Sequence, residues 1–146
     1  YLKKRGVDYF GIDLLPAMMT RLRRMGARVE QGDVATTPLP PAEYTLMLGS
    51  LYHFHPAEAH ILQRMAAHGT GIILEPISNL SQSSNFVIRL LARSASFIGG
   101  TRSDFRLTPA RMDEVVRASG VRVLRSEDVL DSQYRLTVFT APEAAR

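Results

Sequence analysis

The chain has no cysteine and no tryptophan. Without cysteine, disulfides, thiolate nucleophiles and cysteine-ligated zinc are all excluded; nothing points to an oxidising compartment, and a cytoplasmic protein is expected. Long apolar runs are missing too. Phe86 to Ile98 is the nearest to one, and Arg89 and Arg93 interrupt it, so no membrane span is expected. The basic residues Lys3, Lys4 and Arg5 have no apolar segment behind them and do not read as a signal peptide. Lysine is scarce as well, since arginine supplies sixteen of the eighteen basic residues. The arginines are spread along the chain without runs or interleaved aromatics, and Arg21, Arg23 and Arg24 form the densest cluster. The net charge of +4 therefore reads as a solvated basic surface, and no nucleic-acid partner is expected.

With 45% apolar and 22% charged residues in a chain of 146, what remains is the composition of one soluble globular domain spanning residues 1–146. No internal repeat, low-complexity tract or linker divides it. The chain opens on Tyr1 without an initiator methionine, which reads as a fragment that has lost upstream residues.

Asp8 to Asp13 is a short aromatic and apolar run ending in an acid, the pattern of a buried strand. Pro16 suits the first position of a helix, where its missing amide proton is not needed; Met18, Met19, Leu22 and Met25 recur at helical spacing, and Gly26 ends the run. A short strand over Arg28 to Gln31 follows, then a turn at Gly32 and Asp33 and a loop with Pro38, Pro40 and Pro41. Tyr44 to Ser50 is a second compact apolar strand. Pro56 opens a helix with Ala59, Ile61, Leu62, Met65 and Ala66 on its apolar face, and Gly71 to Glu75 is the next buried strand. Strands alternating with helices predict an α/β fold with a parallel sheet, because parallel neighbours need a crossover between them. In the last third, an amphipathic helix is expected over Ser83 to Ile98, and a helix capped by Thr108 from Pro109 to Gly120. Val121 to Ser126 and Tyr134 to Thr140, joined by an acidic turn with Asp128 and Asp131, read as a strand pair whose alternation suits antiparallel pairing.

Three short segments carry chemistry. In Gly11-Ile12-Asp13-Leu14-Leu15-Pro16, an acid at the carboxy end of a parallel strand faces the crevice where doubly wound sheets bind ligands, and its two oxygens can accept both hydroxyls of a ribose. The bland alternative is that Asp13 only caps the helix at Pro16. In Gln31-Gly32-Asp33-Val34, the carboxylate can accept from an exocyclic amine, or Asp33 can be an ordinary turn residue. In Leu48-Gly49-Ser50-Leu51-Tyr52-His53-Phe54, Gly49 and Ser50 allow close approach of backbone to a ligand, with Tyr52, His53 and Phe54 at its edge.

In this order, these segments resemble the motifs that follow the glycine-rich loop in class I S-adenosylmethionine-dependent methyltransferases. The resemblance implies that Asp13 binds the cofactor ribose and that Asp33 with Val34 contacts the adenine edge; Leu14 and Leu15 depart from the family by replacing its usual polar residue, and can sandwich an adenine ring without adding a hydrogen bond. The resemblance also implies that Gly49, Ser50 and Leu51 border the methionine and its methyl group. Gly71-Ile72-Ile73-Leu74-Glu75-Pro76 looks like the family's fifth strand, and the region from Phe105 onward like its antiparallel carboxy-terminal arm. The implied architecture is a Rossmann-like, mostly parallel sheet with helices on both faces and a carboxy-terminal antiparallel strand pair. The family's first strand and its Gly-x-Gly loop have no counterpart in this chain. That strand would lie between those ending at Asp13 and Ser50, so weak binding of S-adenosylmethionine by this polypeptide alone, or none, is expected.

Because the methyl donor is already activated, such an enzyme mainly aligns the acceptor and excludes water. His53 is the leading candidate for a general base, with Glu75 and His55 behind it; the alternative is that His53 belongs to an aromatic wall. A metal site built on His53, His55, Glu58 and His60 is disfavoured because Pro56 interrupts the path between them. Ile77 to Arg106 occupies the place where the resembled family often inserts substrate-covering structure; the alternative is a helix packing on the sheet. A small-molecule acceptor is expected. Two competing readings are an inactive methyltransferase-like interaction module and a different nucleotide-binding α/β enzyme; the latter is disfavoured by the terminal strand pair and by the lack of a dinucleotide fingerprint.

Overall fold

The computed structural model describes residues 3–77, 107–129 and 133–143. The chain divides into two compact units, Tyr1–Pro40 and Pro41–Arg146. Each contains its own sheet.

The first unit is a strand, helix, strand arrangement. Strand β1 (Phe10–Asp13) and β2 (Arg28–Gln31) pair in parallel, with Phe10 opposite Arg28 and Asp13 opposite Gln31. Helix α1 (Pro16–Arg24) supplies the crossover that a parallel pair requires. Its Pro16 sits at the helix start as expected, and no side chain caps the end. Of the four apolar residues on the expected face, Met19 alone is buried, whereas Met18 and Met25 are exposed.

The second unit has a four-stranded sheet in the order β3-β4-β6-β5. Strand β3 (Tyr44–Leu48) runs parallel to β4 (Thr70–Pro76), while β6 (Tyr134–Thr140) is antiparallel to both β4 and β5 (Arg122–Val129). The expected antiparallel arm is therefore present on an α/β fold with parallel strands. Helix α2 (Glu58–His68) crosses from β3 to β4 and packs on both; Thr45 Oγ1 donates to the Met65 carbonyl at 3.3 Å. Helix α3 (Pro109–Ser119) lies against α2, tied by Gln63 Nε2 to the Ser119 carbonyl at 3.1 Å. Thr108 caps α3 by accepting from the Arg111 amide at 3.1 Å, as the sequence predicts. The core consists of Leu51, Ile61, Leu62, Met65, Ile73, Met112, Val115 and Phe139, all buried.

Several boundaries differ from expectation, two of them for a clear physical reason. Helix α2 begins at Glu58 and not at Pro56, because a single 3-10 turn over Leu51–Phe54 occupies the chain first, and the acidic Glu58 then enters the first helical turn, where it is favoured by the helix dipole. Strand β5 continues past Ser126 to Val129, so Asp128 is in the ladder and not in a turn. Asp128 stands opposite Arg135 and binds its Nε at 2.7 Å, and a cross-strand ion pair of this kind extends pairing that hydrophobic alternation alone does not signal. The expected helix over Ser83 to Ile98, most of the proposed covering segment up to Arg106, and Asp131 lie outside the described residues.

Candidate functional site

In the first unit, the parallel register places the two acids after adjacent strand ends. Asp13 closes β1; Asp33 follows β2 by one residue beyond Gly32, whose amide donates to the Asp13 carbonyl at 3.1 Å. Both side chains brace their own loops through one oxygen. Asp13 Oδ1 accepts from the Leu15 amide at 2.8 Å, and Asp33 Oδ1 accepts from the Ala35 amide at 2.8 Å. Asp33 is held further by amides of Thr36 and Thr37 donating to its carbonyl at 3.0 and 2.7 Å. Gln31 Nε2 donates to the Leu14 carbonyl at 3.3 Å, linking the two loops. Leu14 and Leu15 are 58% and 60% exposed, an apolar shelf beside the carboxylates. Val34 is half-buried next to Asp33. The helix-cap role considered for Asp13 is not taken up, since Leu15 is the N-cap and no side chain caps α1; the brace to the Leu15 amide uses Oδ1 alone and is compatible with a ligand role.

In the second unit, β3 ends at Leu48 and the chain turns through Gly49, whose φ of +60° belongs to the left-handed region that glycine adopts without a Cβ clash. The Gly49 amide donates to the Leu74 carbonyl at 2.8 Å. Ser50 is half-buried and Leu51 fully buried, so Leu51 serves the core while its backbone stays at the strand tip. His53 is exposed; its ring lies 4.0 Å from that of Tyr52 at a tilt of 35°, and its amide donates to the Ser50 carbonyl at 3.2 Å. The structure thus pairs His53 with an aromatic neighbour and leaves it accessible. His55 bonds the buried Glu58 through Nδ1 at 2.9 Å, and Arg111 of α3 lies 3.9 Å from the other Glu58 oxygen.

Glu75 occupies a different place from the backup base that the sequence offers. It is fully buried, and its Oε1 accepts from the Ser50 and Leu51 amides at 2.7 and 2.8 Å. Burial pushes its carboxyl up to about 7 from 4.5, while the two amide bonds pull the other way. The fold therefore favours the protonated acid relative to the unfolded chain. Its contribution to stability is complete below about pH 4.5 and is lost as pH rises through about 7. Urea unfolding of the wild type and of Glu75→Gln across this window should show a decline in the wild type that the variant lacks; parallel curves would contradict the assignment.

No family model and no curated protein matches the sequence. Solved structures do match. The mitomycin 7-O-methyltransferase MmcR aligns at a TM-score of 0.69 and 15% identity, over 96% of this chain and 44% of its own. The O-methyltransferase NcsB1 from neocarzinostatin biosynthesis, solved with S-adenosylmethionine and 2-hydroxy-5-methyl naphthoic acid, aligns at 0.65 and 18% identity, over 96% of this chain and 43% of its own. A TehB-like S-adenosylmethionine-dependent methyltransferase from Corynebacterium glutamicum aligns at 0.64 and 16% identity, over 97% of this chain and 72% of its own. The fold is that of the class I S-adenosylmethionine-dependent methyltransferases. This chain spans less than half the length of MmcR and of NcsB1.

Within this methyltransferase-like fold, the contribution that sequence reasoning missed is the link from Glu75 to the strand tip. A single carboxylate ending the apolar run Gly71 to Leu74 was the available signal, because a charge placed at the buried end of a strand needs partners. No helix among the described residues is long and apolar enough to cross a membrane.

Proposed function

We propose that this chain forms the greater part of the cofactor-binding domain of an enzyme that transfers a methyl group from S-adenosylmethionine to a small-molecule acceptor. The observation that carries the reading is the parallel β1/β2 pair, which delivers Asp13 and Asp33 from adjacent strand ends. Two carboxylates braced by their own loops, beside an exposed apolar shelf, fit a nucleoside: acceptors for the hydroxyls and the amine, and a flat surface for the base.

When bound, S-adenosylmethionine supplies an activated methyl group. Asp13 accepts the ribose hydroxyls, Leu14 covers the adenine, and Asp33 accepts the exocyclic amine with Val34 alongside. The backbone of Gly49, Ser50 and Leu51 borders the methyl-bearing end, where Gly49 lets it come close. His53 takes the acceptor's proton on an imidazole nitrogen, a task that suits an exposed ring held by Tyr52. The further length of the enzyme is supported by β3. This edge strand exposes Tyr44, Leu46 and Leu48 at 57%, 55% and 58% and carries no charge, whereas the opposite edge β5 is guarded by Arg122, Arg125 and a bulge.

The reading is tested by titrating the isotope-labelled chain with S-adenosylhomocysteine up to millimolar concentration while following backbone amides by NMR. Shifts concentrated at residues 11–15 and 32–34 are expected. A response spread evenly over the surface, or a saturating one that bypasses those two loops, would overturn it.

A further inference from the structure

Glu75 is the one charged residue in β4 and is fully buried. The register sets Leu48 beside Leu74, so Glu75 lies where β3 has ended and the chain turns away. Three successive amides are anchored there: Gly49 to the Leu74 carbonyl, then Ser50 and Leu51 to Glu75 Oε1 at 2.7 and 2.8 Å. The other oxygen, Oε2, is buried with no hydrogen-bond partner among the described residues. A tie between two strands needs neither a charge nor a second acceptor, and a buried carboxylate half satisfied is a costly way to make one. The turn it grips is the segment that reads as the ligand-facing backbone.

We propose that Glu75 is the positioning residue for the backbone of Gly49, Ser50 and Leu51, and that the charge on its carboxylate sets how firmly this turn is held and how tightly the turn's ligand binds. The inference rests on the reading of that turn as the border of the methyl-bearing end of S-adenosylmethionine. An ionised oxygen makes charge-assisted bonds to both amides, and protonation weakens the two together. The charged and titratable groups nearby do not compete for it. Arg135, opposite Glu75 on β6, is engaged by Asp113 and Asp128 at 2.8 and 2.7 Å; on the turn itself stand Tyr52 and the exposed His53; on α2 the buried acid Glu58 holds His55. Burial brings the Glu75 carboxyl to about 7, so both of its forms are populated near neutral pH.

The test follows the Ser50 and Leu51 amide protons of the labelled chain between pH 5.5 and 8.5. They should share one midpoint near 7, keep it in His53→Asn, and lose it in Glu75→Gln, which preserves side-chain size and one acceptor oxygen. Glu75→Asp, which retains charge but draws the oxygen back by one methylene, should shrink the shared shift. S-adenosylhomocysteine should bind about fivefold more weakly at pH 6 than at pH 8, the factor that a one-unit lowering of the Glu75 midpoint on binding gives across this window, and equally at both in Glu75→Gln. A missing midpoint, one that survives in Glu75→Gln or vanishes in His53→Asn, or binding equally tight at pH 6 and 8 in the wild type, overturns the proposal. Failure of S-adenosylhomocysteine to bind at any pH while the titration is intact removes the ligand part of the proposal and upholds the link between Glu75 and the turn.

Discussion

Replacing Phe139 with alanine is expected to cost the second unit about 3–5 kcal/mol of stability, the range for emptying a buried aromatic site. Phe139 is fully buried on β6, an interior strand of the sheet, where its register partners are Gly71 on β4 and Val123 on β5. A Cβ placed on Gly71 would lie 2.3 Å from the Phe139 ring, so the ring fills the place that a side chain at Gly71 would take. Alanine at 139 therefore leaves a void bordered by a glycine that has nothing with which to fill it. Since small domains are stable by only about 5–15 kcal/mol, the loss should be plain in a urea unfolding curve followed by circular dichroism. Gly71→Ala should also destabilise, by overpacking, and Gly71→Ala with Phe139→Leu should be less damaging than the two single effects added. A Phe139→Ala midpoint within error of the wild type would mean that β4 and β6 do not meet as described.

The Gly71 and Phe139 pairing also shows what was legible in the sequence. Among the described residues the strands and helices themselves were, because each rests on a local pattern: Arg28 to Gln31 and Tyr134 to Thr140 match the observed strands end to end, and Thr108 caps the helix that starts at Pro109. Which face of a strand is buried was not. Along β6 the alternation sets Tyr134, Leu136 and Val138 against Arg135, Thr137 and Phe139, and the buried residues are Thr137 and Phe139 from the more polar set. The choice is made by partners far away in the chain: the bare backbone of Gly71, the hydroxyl of Ser126 at 3.4 Å from Thr137 Oγ1, and the acids Asp113 and Asp128 that accompany Arg135. The candidate site divides in the same way. Asp13 and Asp33 could be named from strand ends and loop chemistry. The hold of Glu75 on Ser50 and Leu51 spans β3 and β4 and depends on a register that no local pattern contains.

Asp13 and Asp33 carry the second large expectation. Substituting either by asparagine keeps an Oδ1 acceptor for the loop amide of Leu15 or Ala35, so the fold should be retained while the charge offered to a ligand is lost. A hydrogen bond to a charged group contributes about 1.5–3 kcal/mol, so each substitution should weaken binding of S-adenosylhomocysteine by about ten- to a hundredfold. A thermodynamic cycle separates ligand contact from loop bracing. Wild type should prefer adenosine over 2′-deoxyadenosine, because the deoxy sugar leaves part of the Asp13 carboxylate without a partner. Asp13→Asn should lose most of that preference, whereas Asp33→Asn should keep it and lose discrimination between adenosine and inosine, which lacks the exocyclic amine. NMR titration supplies each affinity even where binding is weak. The pattern is specific to two acids reaching one nucleoside from neighbouring strand ends: a pair of ordinary turn residues would leave all three nucleoside affinities unchanged in both variants, and a general electrostatic effect would lower them all alike.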